Sequence, residues 1–104
     1  MNPSERFRTK EMAAVEVYGK PGSAVAAVKN LSETGACVQW QTKDVVLEVG
    51  DLVRMTIVLK AIKREHKVNA QIVWNDGFKS GVRFLSDKQL LDKIIVRSEP
   101  SSAA

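Results

Sequence analysis

Residues 66–85 read HKVNAQIVWNDGFKSGVRFL. Val68, Ala70, Ile72 and Trp74 fall at every second position, with Lys67, Asn69 and Gln71 between them. Side chains on a strand alternate between faces, so this pattern predicts a strand over His66–Trp74 with one apolar side. Asn75-Asp76-Gly77 follows, a hairpin signal in which glycine takes a positive φ at no steric cost. Gly81–Leu85 is then the returning strand. An antiparallel hairpin is the seed of the fold.

Working outward, the same period recurs. Leu52–Leu59 sets Val53, Met55, Ile57 and Leu59 against Arg54, Thr56 and Val58, after a Gly50-Asp51 turn. Ala36–Gln41 sets Ala36, Val38 and Trp40 against Cys37, Gln39 and Gln41, which places both tryptophans on apolar faces as core or wall residues. Ala24–Lys29 is a small-residue apolar strand, and Ala13–Tyr18 shows Val15 and Val17 on one face. Gly19-Lys20-Pro21-Gly22-Ser23 and Asn30-Leu31-Ser32-Glu33-Thr34-Gly35 separate these runs with turn formers. Lys43–Val49 fits either a short strand or a loop packed on the core.

Toward the C-terminus, Ser86 stands three residues before Gln89, a capping box that opens a helix. Leu90, Leu91, Ile94 and Ile95 form its apolar stripe, for which a barrel end is a natural cover. About six short strands and one helix predict a mainly β fold, a six-stranded antiparallel β-barrel with a C-terminal α-helix. Barrel closure also removes the exposed sheet edges that so many strands create. The chain divides into a flexible basic arm (1–12), the barrel plus helix (13–97) and a disordered tail (98–104).

Composition excludes much chemistry. The 104 residues carry 44% hydrophobic and 27% charged side chains, ordinary globular usage that argues for one domain. Cys37 is the only cysteine and His66 the only histidine, which removes intrachain disulfides, zinc clusters and most catalytic triads. The longest stretch without a charge, Thr34–Thr42, is nine residues, far short of the ~20 that a membrane helix needs. The polar start, Met1–Lys10, has no apolar signal core. The expectation is a cytoplasmic domain that is not an enzyme, holds no cofactor or metal and does not insert into a membrane. Sixteen Lys and Arg against twelve Asp and Glu give a net charge of +4, which favours an anionic partner. Basic residues gather at Arg6, Arg8 and Lys10, and again at Lys60, Lys63, Arg64 and Lys67. The second cluster reads as a solvated strand edge, and its lack of aromatics disfavours single-stranded nucleic acid.

A basic arm followed by Asn30-x-Ser32-x-x-Gly35 between the second and third strands resembles the PilZ domain family. That family carries an Arg-x-x-x-Arg arm and an Asp/Asn-x-Ser-x-x-Gly motif. Gly50-Asp51, Ile72-Val73-Trp74, Gly81-Val82-Arg83-Phe84 and the trailing helix also follow its pattern. The resemblance covers nearly the whole chain. It implies a six-stranded barrel that binds cyclic di-GMP and relays the level of that messenger to an effector protein. The implied ligand residues are Arg6, Arg8, Lys10, Asn30, Ser32 and Gly35. The arm departs from the pattern: one register pairs Arg6 with Lys10, the other Ser4 with Arg8. The distance from Arg8 to Val15 favours Arg8 as the retained arginine.

The residue types suit such a ligand. Guanine presents O6 and N7 acceptors that match an arginine fork, and N–H donors that the carbonyl of Asn30 can accept. Ser32 gives or takes one hydrogen bond, and Gly35 allows a positive φ and close approach of a flat base. The same Asn30–Gly35 segment is also a plain turn, with Asn and Ser capping their own backbone. A barrel that keeps its shape but serves only as a protein–protein adaptor is the alternative function. In that case the imperfect arm no longer grips the ligand.

Overall fold

The computed structural model describes the backbone of residues 7–8, 11–59 and 63–98, and the side chains of 11–58 and 63–96. The strands are β1 (Phe7–Arg8), β2 (Met12–Val17), β3 (Ser23–Leu31), β4 (Gly35–Lys43), β5 (Leu52–Leu59), β6 (Arg64–Asn75) and β7 (Lys79–Leu85), followed by the helix α1 (Asp87–Ser98). All pairings are antiparallel, in the order β3-β2-β5-β6-β7-β4, and β4 pairs back onto β3. This is a six-stranded closed barrel with one C-terminal helix. The two-residue β1 lies on β3 beyond the end of β2.

The interior is filled by the alternating residues. Ala13, Val15, Val17, Ala24, Ala26, Val28, Val38, Val53, Met55, Ile57, Ala70, Ile72 and Val82 are buried in one cluster. Four of these are alanines, which suits the narrow lumen of a small barrel. Leu47 joins that cluster from the β4–β5 loop, held by Asn75 Nδ2 donating to its carbonyl at 2.9 Å. Lys43–Val49 therefore ends β4 and continues as a loop packed on the core, not as a further strand.

Among the described residues Ser80 is the buried polar side chain, and it is satisfied. It accepts from Trp40 Nε1 and donates to Asn75 Oδ1, both at 2.9 Å. The β6–β7 turn is stapled by Asp76, whose Oδ1 accepts from the N–H groups of Lys79 (2.7 Å) and Phe78 (2.8 Å). Those two donors hold the Asp76 carboxyl below its usual value. Gly77 sits there at φ +95°, as the Asp-Gly pattern requires.

The capping box forms as read: Gln89 N donates to Ser86 Oγ at 3.1 Å, and Ser86 N to Gln89 Oε1 at 2.8 Å. The helix covers a different surface from the one expected. Leu90 packs with Leu52 and Leu85 in a cluster separate from the barrel interior. Leu52 alternates with the inward Val53, so α1 lies on the outer wall rather than over a barrel end. Half of the stripe stays uncovered, with Leu91 and Ile95 exposed. Among the described residues no helix is long and apolar enough to cross a membrane.

Candidate functional site

The site is made by two of the three register shifts among the described residues of the barrel, the third lying at Val25/Ala26. In β3, Ala24, Ala26 and Val28 point inward, and strict alternation would send Asn30 inward too. A register shift between Val28 and Asn30 intervenes: Val28 pairs with the inward Val38, but Asn30 pairs with Cys37 on the outside. In β6 a second shift falls between Ile72 and Trp74. Ile72 pairs with the inward Val82, whereas Trp74 pairs with Gly81. Each bulge inserts one residue, and each turns a side chain out of the barrel.

The two re-aimed side chains fall on one line. The registers run Arg8–Asn30–Cys37–Gly81–Trp74 across β1, β3, β4, β7 and β6. Asn30, Cys37, Gly81 and Trp74 line a groove of about 240 Å³ together with Gly35 and Arg83. Its middle is low because two of its positions have no side chain. At Gly81 a Cβ would run into the Trp74 indole, so the ring lies across this position. At Gly35 a Cβ would run into the Val82 carbonyl, so β4 and β7 approach closely only with glycine there. Arg83, the register partner of Gly35, is exposed at the rim and forms no ion pair among the described residues.

Several expectations change at this point. Trp74 is not a core residue: it is 43% exposed and forms one end of the groove. Gly35 is not left-handed, since its φ is not among the positive ones; it is required by crowding against β7 instead. Asn30 belongs to a strand, and the turn shrinks to Ser32–Thr34 between β3 and β4. Trp40 stays in the wall, pairing with the inward Ala26. Cys37 and His66 keep the places expected of strand residues, Cys37 on the groove floor and His66 exposed.

Ser32 is largely committed to its own turn. Its Oγ accepts from Thr34 N (3.3 Å) and Gly35 N (3.2 Å), and lies 3.2 Å from the Gly35 carbonyl, to which it can donate. Thr34 O then accepts from Phe84 N at 2.8 Å, tying the turn to β7. The Asn30 amide makes no side-chain hydrogen bond among the described residues. Arg8 is opposite Asn30 in the backbone register, while Arg6 and Lys10 lie outside the described residues. The structure thus gathers Arg8, Asn30, Ser32 and Gly35 on one side of the barrel. It adds Val73, Trp74 and Arg83, which the sequence reading left out of the site. A tryptophan, an amide and an arginine around a flat, small-residue floor can stack a planar ring, pair with its edge and neutralise an anion.

A solved structure described as the PilZ domain of CeSA from a cellulose-synthesizing bacterium has the same fold. It superposes with a TM-score of 0.67 at 19% identity, covering 89% of this chain and 94% of that one. No curated protein sequence matches this chain. The family model described as the PilZ domain matches residues 4–98, which take in β1, the barrel and the helix; the chain belongs to the PilZ domain family.

Proposed function

We propose that this domain is a receptor for cyclic di-GMP that passes the level of the messenger to a partner protein. The observation that carries the reading is the register line, which sets the arm residue Arg8 beside Asn30 and both in line with Trp74. One guanine lies on the floor formed by Cys37 and Gly81 and stacks against the Trp74 indole. The Asn30 carbonyl accepts from the guanine N–H edge, and the Arg8 fork takes O6 and N7. Arg83, Arg6 and Lys10 neutralise the two phosphates. Ser32 and Gly35 act chiefly by shaping the β3–β4 turn, with the Ser32 lone pairs already occupied by backbone donors. Arg83 supplies a fixed cation where the arm lacks one of its two arginines. Ligand bridges Arg8 on β1 to the groove, and the surface formed by the bound messenger and β1 is the signal a partner reads.

Calorimetric titration with cyclic di-GMP, alongside GTP and cyclic di-AMP, tests this. Saturable heat is expected with cyclic di-GMP alone, accompanied by amide shifts at Asn30, Cys37 and Trp74. Absence of heat and of shifts at high micromolar ligand rejects it.

A second reading has its own support. The arm offers no Arg-x-x-x-Arg, and the Ser32 hydroxyl is bound within its turn. In this reading the barrel is an adaptor without a ligand. Ser4→Arg and Lys10→Arg separate the two. A gain of affinity in either variant marks a working or weakened receptor, and no gain in a non-binding protein leaves the adaptor.

A further inference from the structure

A second groove, of about 380 Å³, lies between α1 and the outer face of β5 and β6, away from the β3–β4–β7 wall. The helix is anchored by Leu90 against Leu52 and Leu85. A polar chain also holds it, with Tyr18 OH donating to Asn69 Oδ1 (2.9 Å) and Asn69 Nδ2 to Asp87 Oδ1 (3.0 Å). On its free side Leu91 and Ile95, one turn apart, are 56% and 53% exposed. Leu91 lines the groove with Leu90 and Ile94, and Ile95 extends the exposed apolar face beyond it.

The opposite wall is cationic. Arg54 pairs with Asn69 and Lys67 with Thr56, so Arg54 and Lys67 are diagonal neighbours on the outer face. Neither makes an ion pair or a side-chain hydrogen bond among the described residues. Glu16 is the register partner of Arg54 across β2 and still forms no ion pair with it. Asp87, the acid that lines the groove, is engaged by Asn69.

We infer that this groove docks an acidic segment of a partner protein. An apolar side chain of that segment fills the space between Leu91 and Ile94, and its carboxylates meet Arg54 and Lys67. The charge pattern selects the occupant, because uncompensated cations favour an anionic partner and penalise a basic one. The apolar face supplies the buried anchor that a charge pair alone lacks. Nucleic acid fits less well: the aromatic ring lining the groove is Tyr18, whose hydroxyl is committed to Asn69, and no stacking platform faces the cations. The inference does not depend on whether the other wall binds a nucleotide.

The full chain, titrated with a fluorescein-labelled peptide carrying two leucines one helical turn apart among glutamates, tests it by anisotropy and amide shifts. Two control peptides replace the glutamates by lysines or the leucines by serines. Binding of the acidic leucine peptide alone is expected, with shifts at Arg54, Lys67 and Leu91. Arg54→Glu with Lys67→Glu weakens it about tenfold or more, and Leu91→Ser about tenfold. All three positions are exposed, and unchanged thermal unfolding shows that the variants fold. The inference is overturned if the wild type does not bind the acidic peptide, if the variants bind it equally well, or if the lysine peptide binds better. It is also overturned if the same variants instead abolish self-association, binding to oligothymidine or binding to phosphatidylglycerol vesicles.

Discussion

The two sides of this barrel obey different rules. On the β2–β5–β6 side the pairing is unbroken: Met12–Val17 run against Val58–Val53, and Leu52–Leu59 against Gln71–Arg64, with no register shift. Every second side chain there goes inward, and the outer face carries Arg54 and Asn69, a few small or aliphatic residues such as Ala14 and Val58, and the helix. On the β3–β4–β7–β6 side, shifts at Val28/Asn30 and Ile72/Trp74 break the period. Both walls supply the core, but only the broken wall turns Asn30 and Trp74 out to a common groove. A bulge costs a ladder hydrogen bond but re-aims one side chain, which regular pleating cannot do. A polar amide and a large aromatic are thereby moved out to a common surface that a strict alternation would have denied them.

Removing a bulge tests this contrast most severely. Inserting one alanine between Gly81 and Val82 gives Val73 a partner across the sheet, restores the two-residue period and drives Trp74 toward a lumen packed with alanines and valines. Overpacking of that size should cost about 3 kcal/mol. Denaturant unfolding gives the loss, and a change in tryptophan emission reports the altered environment. Next comes Gly35→Ala, which places a methyl against the Val82 backbone carbonyl. Backbone cannot swing aside as a side chain can, so about 2 kcal/mol is expected, read as a lowered unfolding midpoint.

Two further changes separate binding from folding. Trp74→Ala removes a half-exposed ring, so stability should fall by less than about 1 kcal/mol. If a guanine stacks there, cyclic di-GMP affinity should fall about tenfold, or ~1.4 kcal/mol. Equal affinity in this variant, with the wild type binding, removes Trp74 from the site. Arg83→Ala should cost about fivefold in affinity, with a weaker salt dependence, since an exposed cation is partly screened.

The smallest effect belongs to the β6–β7 turn, next to the bulge. The N–H groups of Lys79 and Phe78 favour the charged Asp76 carboxylate. A depressed folded value means that its contribution is present at neutral pH and is lost as pH falls through that value. An NMR titration should place the Asp76 midpoint below that of an ordinary aspartate. Asp76→Asn should remove the acid-side change in the turn amides of Phe78 and Lys79.

Legibility followed the same division. Leu52–Leu59 was read with the bounds it has, because nothing interrupts its alternation. Asn30 and Ser32 were legible as site candidates from the motif. Trp74 was read as apolar wall, because parity counted from Val68 through Ile72 carries it inward and nothing in the residues announces an inserted Val73. Gly35 was read as a left-handed turn residue, whereas its need arises from a strand 47 positions downstream in Val82. The helix stripe was visible, but two adjacent pairs of apolar residues subtend too wide an arc for one shallow contact. The sequence therefore does not say which half is covered.

Sequence alone determined the six barrel strands, the capping box, the Asp-Gly hairpin and the family, because these rest on local periodicity, on local turn chemistry or on a motif within a few residues; β1 at Phe7–Arg8 was not among them. Only the tertiary structure decided that Asn30 and Trp74 share a face, that Arg83 borders them and that Leu91 is left uncovered. Those outcomes depend on register between strands distant in sequence, and one inserted residue reverses the face of everything after it.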